Sequence, residues 1–180
     1  MLLAVILAFW WRYSAPPEPI PAFHEELGVN WTNNAKTLFC ESPSYAVSDA
    51  IGTVQGFYMQ AMQYTSRPLC LVGSGMSTGR LCCEEGKRPA ILSSAGYWGV
   101  NHIDVARKWV DVQGGALLSL VSKKLEATGM MLENMPSFEK LSVAGAISTA
   151  SHGSSPSQPS LSSSVLSMDL VLPNSTPVTV

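Results

Sequence analysis

Apolar side chains at Ile51, Val54, Phe57, Tyr58, Ala61 and Met62 recur at spacings of three and four, which predicts one buried stripe on a helix. Ser44 or Ser48 can cap its start. After Pro68, the unbroken run Leu69-Cys-Leu-Val72 predicts a buried strand, and Thr37-Leu-Phe-Cys40 and Ala90-Ile-Leu92 are shorter strand candidates. Trp109-Val-Asp-Val-Gln113 alternates apolar and polar, as a half-buried strand does. Gly114 and Gly115 then turn the chain into a helix expected over residues 116–128. Its inner face would be Leu117, Leu120, Val121 and Leu125, its wet face Ser122, Lys123 and Glu126, and Gly129 stops it. A Ser/Pro-rich loop over 156–164 leads to a strand over 165–172, a turn over 173–176 and the start of another strand at Pro177. Because that hairpin begins at the last residues, the expected domain reads as truncated at its C-terminus. Interleaved strands and helices give an α+β class.

Residues 1–11 are an apolar run closed by Trp10, Trp11 and Arg12, shorter than the roughly 20 residues of a spanning helix. A positive leader is missing, and tryptophans suit headgroup depth. The expectation is therefore a hydrophobic targeting or membrane-associated segment over 1–15, with attachment at a mitochondrial or endomembrane surface. The Pro-rich stretch of 16–29 reads as a semi-rigid linker and 30–180 as the folded domain.

Charged residues make up 13% of the chain and the net charge is -2, so no basic patch exists to displace counterions from nucleic acid. The four cysteines form no C-x-x-C pair and no zinc-ligand spacing with His24, His102 or His152, so no metal is expected. Buried thiols are the modest reading of them. Asn30-Trp-Thr32 and Asn174-Ser-Thr176 match the N-glycosylation acceptor, which matters only on a secretory route.

Two stretches carry candidate chemistry. Residues 141–155 are small and hydroxyl-bearing, uninterrupted by Lys or Arg. Gly145 and Gly153 permit close backbone approach, and Ser148, Thr149, Ser151 and Ser154 can donate hydrogen bonds. Exposed amides in such a turn attract anions, most often phosphate, although a Ser/Gly-rich surface loop has the same composition. Residues 73–79 form the second stretch, placed directly after a strand where α/β proteins bind phosphates. Gly73, Gly75 and Gly79 miss the dinucleotide spacing by one position, and no Lys-Ser/Thr follows, so neither common glycine-rich phosphate loop is present. His152 beside Ser151 and Ser154 could suggest a hydrolase, but no G-x-S-x-G is present and sequence neighbours rarely have that geometry. A turn histidine bonded to backbone is the plain alternative.

Four segments in order, Asn30-Trp-Thr-Asn-Asn-Ala-Lys36, Leu71-Val-Gly-Ser-Gly-Met-Ser77, Val110-Asp-Val-Gln-Gly-Gly115 and 141–155, resemble the PCMH-type FAD-binding domain of the vanillyl-alcohol-oxidase flavoproteins. Within that family the chain is most similar to the sugar-1,4-lactone oxidases and dehydrogenases. The resemblance implies two α/β subdomains with FAD between them. Leu71, Val72, Gly73, Ser74, Gly75, Met76 and Ser77 would wrap the pyrophosphate and the flavin edge. Ser137, Ser142, Gly145, Thr149, Ala150, Ser151 and His152 would contact the cofactor from the other side. Many members carry a flavin-linking histidine where this chain has Met76, and a thioether cannot make that bond, so FAD is expected to be noncovalent.

The implied chemistry is oxidation of a sugar lactone, D-arabinono-1,4-lactone or an L-gulono- or L-galactono-lactone, with electrons passing to O2 or cytochrome c. The family's substrate-facing cap and its His-Trp-x-Lys motif do not occur in these 180 residues, so no catalytic residue is assigned and the chain is expected to supply FAD binding alone. A related alcohol or hydroxyacid oxidase, or a non-catalytic remnant, are the alternatives.

Overall fold

The computed structural model describes residues 4–7, 24–26, 31–40, 44–46, 69–79, 90–94, 97–172 and 176–180. The chain divides into two compact units, one of residues 1–12, 98–170 and 177–180, the other of 13–97 and 171–176.

The first unit is built on a five-stranded sheet. Its strands are β1 (Ala4–Leu7), β8 (Val100–Asp104), β9 (Trp109–Val112), β10 (Val165–Val171) and β11 (Pro177–Thr179), in spatial order β11-β10-β1-β9-β8. β1 runs parallel to both β9 and β10, while β8 and β9 are antiparallel. Thus the part of the apolar N-terminal run that is described, expected as a targeting or membrane-associated segment, is an interior strand, and its backbone groups are spent on two neighbours. No helix among the described residues is long and apolar enough to cross a membrane.

Two helices pack in this unit, α1 (Leu118–Glu126) and α2 (Val143–Ser148). The core joins Val110 and Val112 of β9 to Leu118, Val121 and Leu125 of α1, with Leu132, Val143, Ala146 and Leu161. Leu117, expected on the buried face of a helix starting at 116, is 38% exposed, and Leu118 is buried instead. Leu117 is still extended and bridges Ser142, so helical spacing does not yet apply to it. α1 has no side-chain cap. The amides of Leu118 and Ser119 donate instead to the carbonyls of Leu141 and Glu139, at 2.9 and 3.0 Å. At the other end the N–H groups of Gly129 and Met130 donate to Glu126 and Leu125, which stops the helix as the glycine predicts.

β9 departs from the expected alternation: Asp111 is buried along with Val110 and Val112. β9 lies between β1 and β8, and the Asn101 side chain donates to the Asp111 carboxylate at 3.1 Å, so neighbouring strands cover the polar residue. The segment over 156–164, read as a plain loop, ends in a 3₁₀ turn, Leu161–Ser164, that buries Leu161 and Ser164.

The second unit holds β2 (His24–Glu26), β5 (Ser44–Ala46), β6 (Leu69–Val72) and β7 (Ala90–Ser93) in the order β2-β5-β7-β6, and a hairpin of β3 (Trp31–Thr32) with β4 (Phe39–Cys40). β5, β7 and β6 run parallel, and β2 is antiparallel to β5. The strand expected over 69–72 coincides with β6. Part of the expected linker, residues 24–26, is β2. The helix expected from Ile51 to Met62 lies outside the described residues. Cys70 takes part in a disulfide.

Candidate cofactor site

In the second unit, β6 delivers the chain into the glycine-rich segment 73–79. Gly75 has φ 66°, a left-handed conformation that a side chain disfavours, and it lets the backbone turn sharply. Asn34 N–H donates to the Gly75 carbonyl at 2.8 Å, and Asn33 Nδ2 donates to the Ser77 carbonyl at 3.1 Å. Both bonds come from the β3–β4 hairpin. The Ser77 hydroxyl accepts from Gly79 N–H at 3.2 Å. The amides of residues 74–78 find no acceptor among the described residues. Residues 72–76 are half-buried, Met76 among them, while Leu71 and Ser77 are exposed. A run of unspent, partly sheltered backbone donors is the arrangement that receives an anion such as a pyrophosphate.

In the first unit, the stretch 141–155 is not the open loop its composition suggests. Its centre is α2, capped by Ser142, whose buried hydroxyl accepts from Gly145 N–H at 3.3 Å. Val143 and Ala144 donate to the carbonyls of Ala116 and Gly114, each at 2.8 Å. Thr149, Ala150, Ser151 and Gly153 amides donate to Gly145, Ile147, Ala146 and Asn134. These amides are spent inside the protein. Most of the backbone donors of this stretch are therefore used within the fold, those of His152 and Ser154 being without an acceptor among the described residues, whereas 74–78 form a continuous run of such amides. What 141–155 presents outward is Gly145, Ser148, Thr149, Ala150 and His152, a surface of small residues closed by an imidazole. Ser142 acts on it by starting the helix, and Ser137 is exposed in the preceding loop.

His152 Nδ1 lies 2.7 Å from the carbonyl of Gly153, so this nitrogen carries the proton and donates to backbone. The ring is therefore a turn histidine and not a base aimed at Ser151 or Ser154. The Ser151 hydroxyl lies 3.3 Å from that of Thr149, which in turn donates to the Gly145 carbonyl at 2.9 Å.

Two asparagines that sequence reasoning did not single out hold the two segments, each within its own unit. Asn33 is one. Asn134 is the other: its Nδ2 donates to the carbonyls of Gln158 and Pro159, both at 2.9 Å, and its Oδ1 accepts from Ser155 N–H at 3.3 Å. Asn33 sits in a segment that carried the family resemblance, which was its one signal. Asn134 offered none, since its partners lie 21 to 25 residues away.

The FAD binding domain family matches residues 57–180. L-Gulonolactone oxidase of Scyliorhinus torazame is 26% identical over 151 residues, covering 81% of this chain and 32% of that protein. D-Arabinono-1,4-lactone oxidase of Saccharomyces cerevisiae is 30% identical over 125 residues, 63% of this chain and 22% of that one. The chain spans about a third or less of the length of these relatives. Among solved structures, a solvent-stable cholesterol oxidase shares a TM-score of 0.67 at 16% identity, covering 92% of this chain and 34% of that chain. A mutant cholesterol oxidase from Brevibacterium sterolicum gives 0.65 at 20% identity with the same coverages. At such identities the likeness is one of fold, the PCMH-type α+β arrangement. With a family match over more than half of its residues and a glycine-turned row of free amides behind β6, this chain belongs to the FAD binding domain family.

Proposed function

We propose that this chain is the FAD-holding part of a flavin-dependent sugar-1,4-lactone oxidase or dehydrogenase, and that it holds FAD without a covalent bond. The observation that carries the reading is the row of unspent amides at residues 74–78, set beside relatives named as lactone oxidases. Backbone N–H groups would take the pyrophosphate, since a neutral donor cradle binds an anion without any lysine or arginine. The small-residue surface formed by Gly145, Ser148, Thr149 and Ala150 would let a flat, bulky group approach backbone closely. Bound FAD supplies the two-electron chemistry that oxidises a CH–OH group. The chain's own residues bind and orient it. Met76 would be an apolar contact, because its thioether cannot form the imidazole–flavin bond. The lactone, and O2 or cytochrome c as acceptor, are the substrate and electron acceptors that this reading implies.

The test is the visible spectrum of the purified, desalted chain, repeated on the supernatant after acid precipitation. A flavin band that moves wholly into the supernatant is expected. Flavin retained in the pellet would overturn the noncovalent reading and leave FAD binding intact. A colourless chain that takes up no added FAD would overturn the cofactor reading itself. For the substrate class, lactone-dependent reduction of an electron acceptor is expected when this chain is supplied within a protein of its relatives' full length, and its absence would sink that part.

A further inference from the structure

We infer that Asn33 is a positioning residue for the cofactor loop, setting which way the free amide of Thr78 points; this rests on the FAD reading above. Asn33 is 1% exposed, and its side chain uses both donors and accepts twice. Nδ2 donates to the Thr37 hydroxyl at 2.9 Å and to the Ser77 carbonyl at 3.1 Å, while Oδ1 accepts from the amides of Thr37 and Leu38 at 2.8 and 3.0 Å. Only one orientation of the amide satisfies this set, because two backbone N–H groups demand the oxygen and a carbonyl demands the nitrogen. A buried amide so engaged has no freedom to turn.

The consequence for the loop follows from peptide geometry. In a planar trans peptide the C=O and the next residue's N–H point to opposite sides. The Gly75 carbonyl is held by Asn34 N–H and the Ser77 carbonyl by Asn33 Nδ2. The N–H groups of Met76 and Thr78 are therefore turned away from the hairpin, and neither finds an acceptor among the described residues. Two alternate peptides are held from the hairpin side, one by Asn34 N–H and one by Asn33 Nδ2, so that each donor faces away from the group that holds it. Asn33 touches no ligand in this arrangement; it acts through the loop.

Asn33→Asp separates the two jobs of the side chain. A carboxylate still accepts from Thr37 and Leu38, so the hairpin survives, but its second oxygen now faces the Ser77 carbonyl and repels it. The full chain is titrated with FAD by flavin fluorescence, variant beside wild type, from pH 7 down to pH 4. At pH 7 the variant should bind FAD about tenfold more weakly, the scale of one lost hydrogen bond. As the pH is lowered and the new carboxyl is protonated, it becomes a donor like the amide it replaced, and the affinity ratio should return towards one. In apo protein, the amides of Thr37 and Leu38 should stay protected from exchange, while the NMR amide shift of Thr78 moves and that of Met76, whose peptide is held by Asn34, does not. Equal affinities at pH 7, or a deficit that acid does not relieve, would overturn the inference and leave the FAD reading standing. A wild-type chain that takes up no FAD would overturn both.

Discussion

Gly153 donates its N–H to the Asn134 carbonyl at 2.8 Å, and a Cβ on Gly153 would stand 2.6 Å from Asn134 Oδ1 and 2.5 Å from the Met135 carbonyl. Backbone blocks the space, so the clash cannot be relieved by swinging a side chain. Gly153→Ala should lower unfolding stability by about 1–3 kcal/mol, the range of overpacking a fixed site. Urea denaturation measures it, and a loss below half a kcal/mol would contradict the packing described.

Ala150 stands at φ 52° with no glycine's excuse. A Cβ in the left-handed region costs roughly 1–2 kcal/mol, and Ala150 is exposed, so removing its methyl forfeits little burial. Ala150→Gly is expected to raise stability by about 1 kcal/mol, less the entropy that a glycine returns to the unfolded chain. Ala150→Val should lower it. Matched thermal melts of the three chains decide the sign.

Ser142 caps α2 through its hydroxyl. Ser142→Ala should cost about 1 kcal/mol, the usual loss for an N-cap. Ser142→Asp, which keeps an acceptor oxygen in place, should retain more of the stability than alanine does.

Asp111 is buried, and burial pushes its carboxyl above the ordinary carboxylate value; Asp169 adds to this, while the Asn101 bond at 3.1 Å and nearby His102 oppose it. A raised folded value means the folded state keeps its proton longer than the unfolded one. Stability is then highest below the ordinary value and falls as pH rises through the folded one. Asp111→Asn keeps an acceptor for Asn101 and removes the charge. It should be more stable than wild type at pH 7, with the advantage closing at about pH 4 and below. An advantage independent of pH would show that charge burial is not its source.

What was legible in the sequence was local. The apolar run 69–72, the strand ending near 172, the helix stopped by Gly129 and the two small-residue stretches are all set by near neighbours, and the structure has them where periodicity put them. The order of four short segments was enough to reach the flavin-binding family, because loop residues that meet a ligand are constrained by chemistry as well as by folding.

The tertiary structure decided which donors remain free. Composition left 141–155 open as a phosphate seat or a surface loop, and in the structure Val143 and Ala144 spend their amides on Ala116 and Gly114, nearly thirty residues back. Residues 74–78 keep theirs because the hairpin takes carbonyls from that loop and offers its amides nothing in return. The same reason explains Asp111, whose carboxylate is covered by side chains such as Asn101 on the strands beside β9. Hydrogen bonds and burial are settled between distant segments, and a sequence pattern reports only the residues within a turn or a strand of one another.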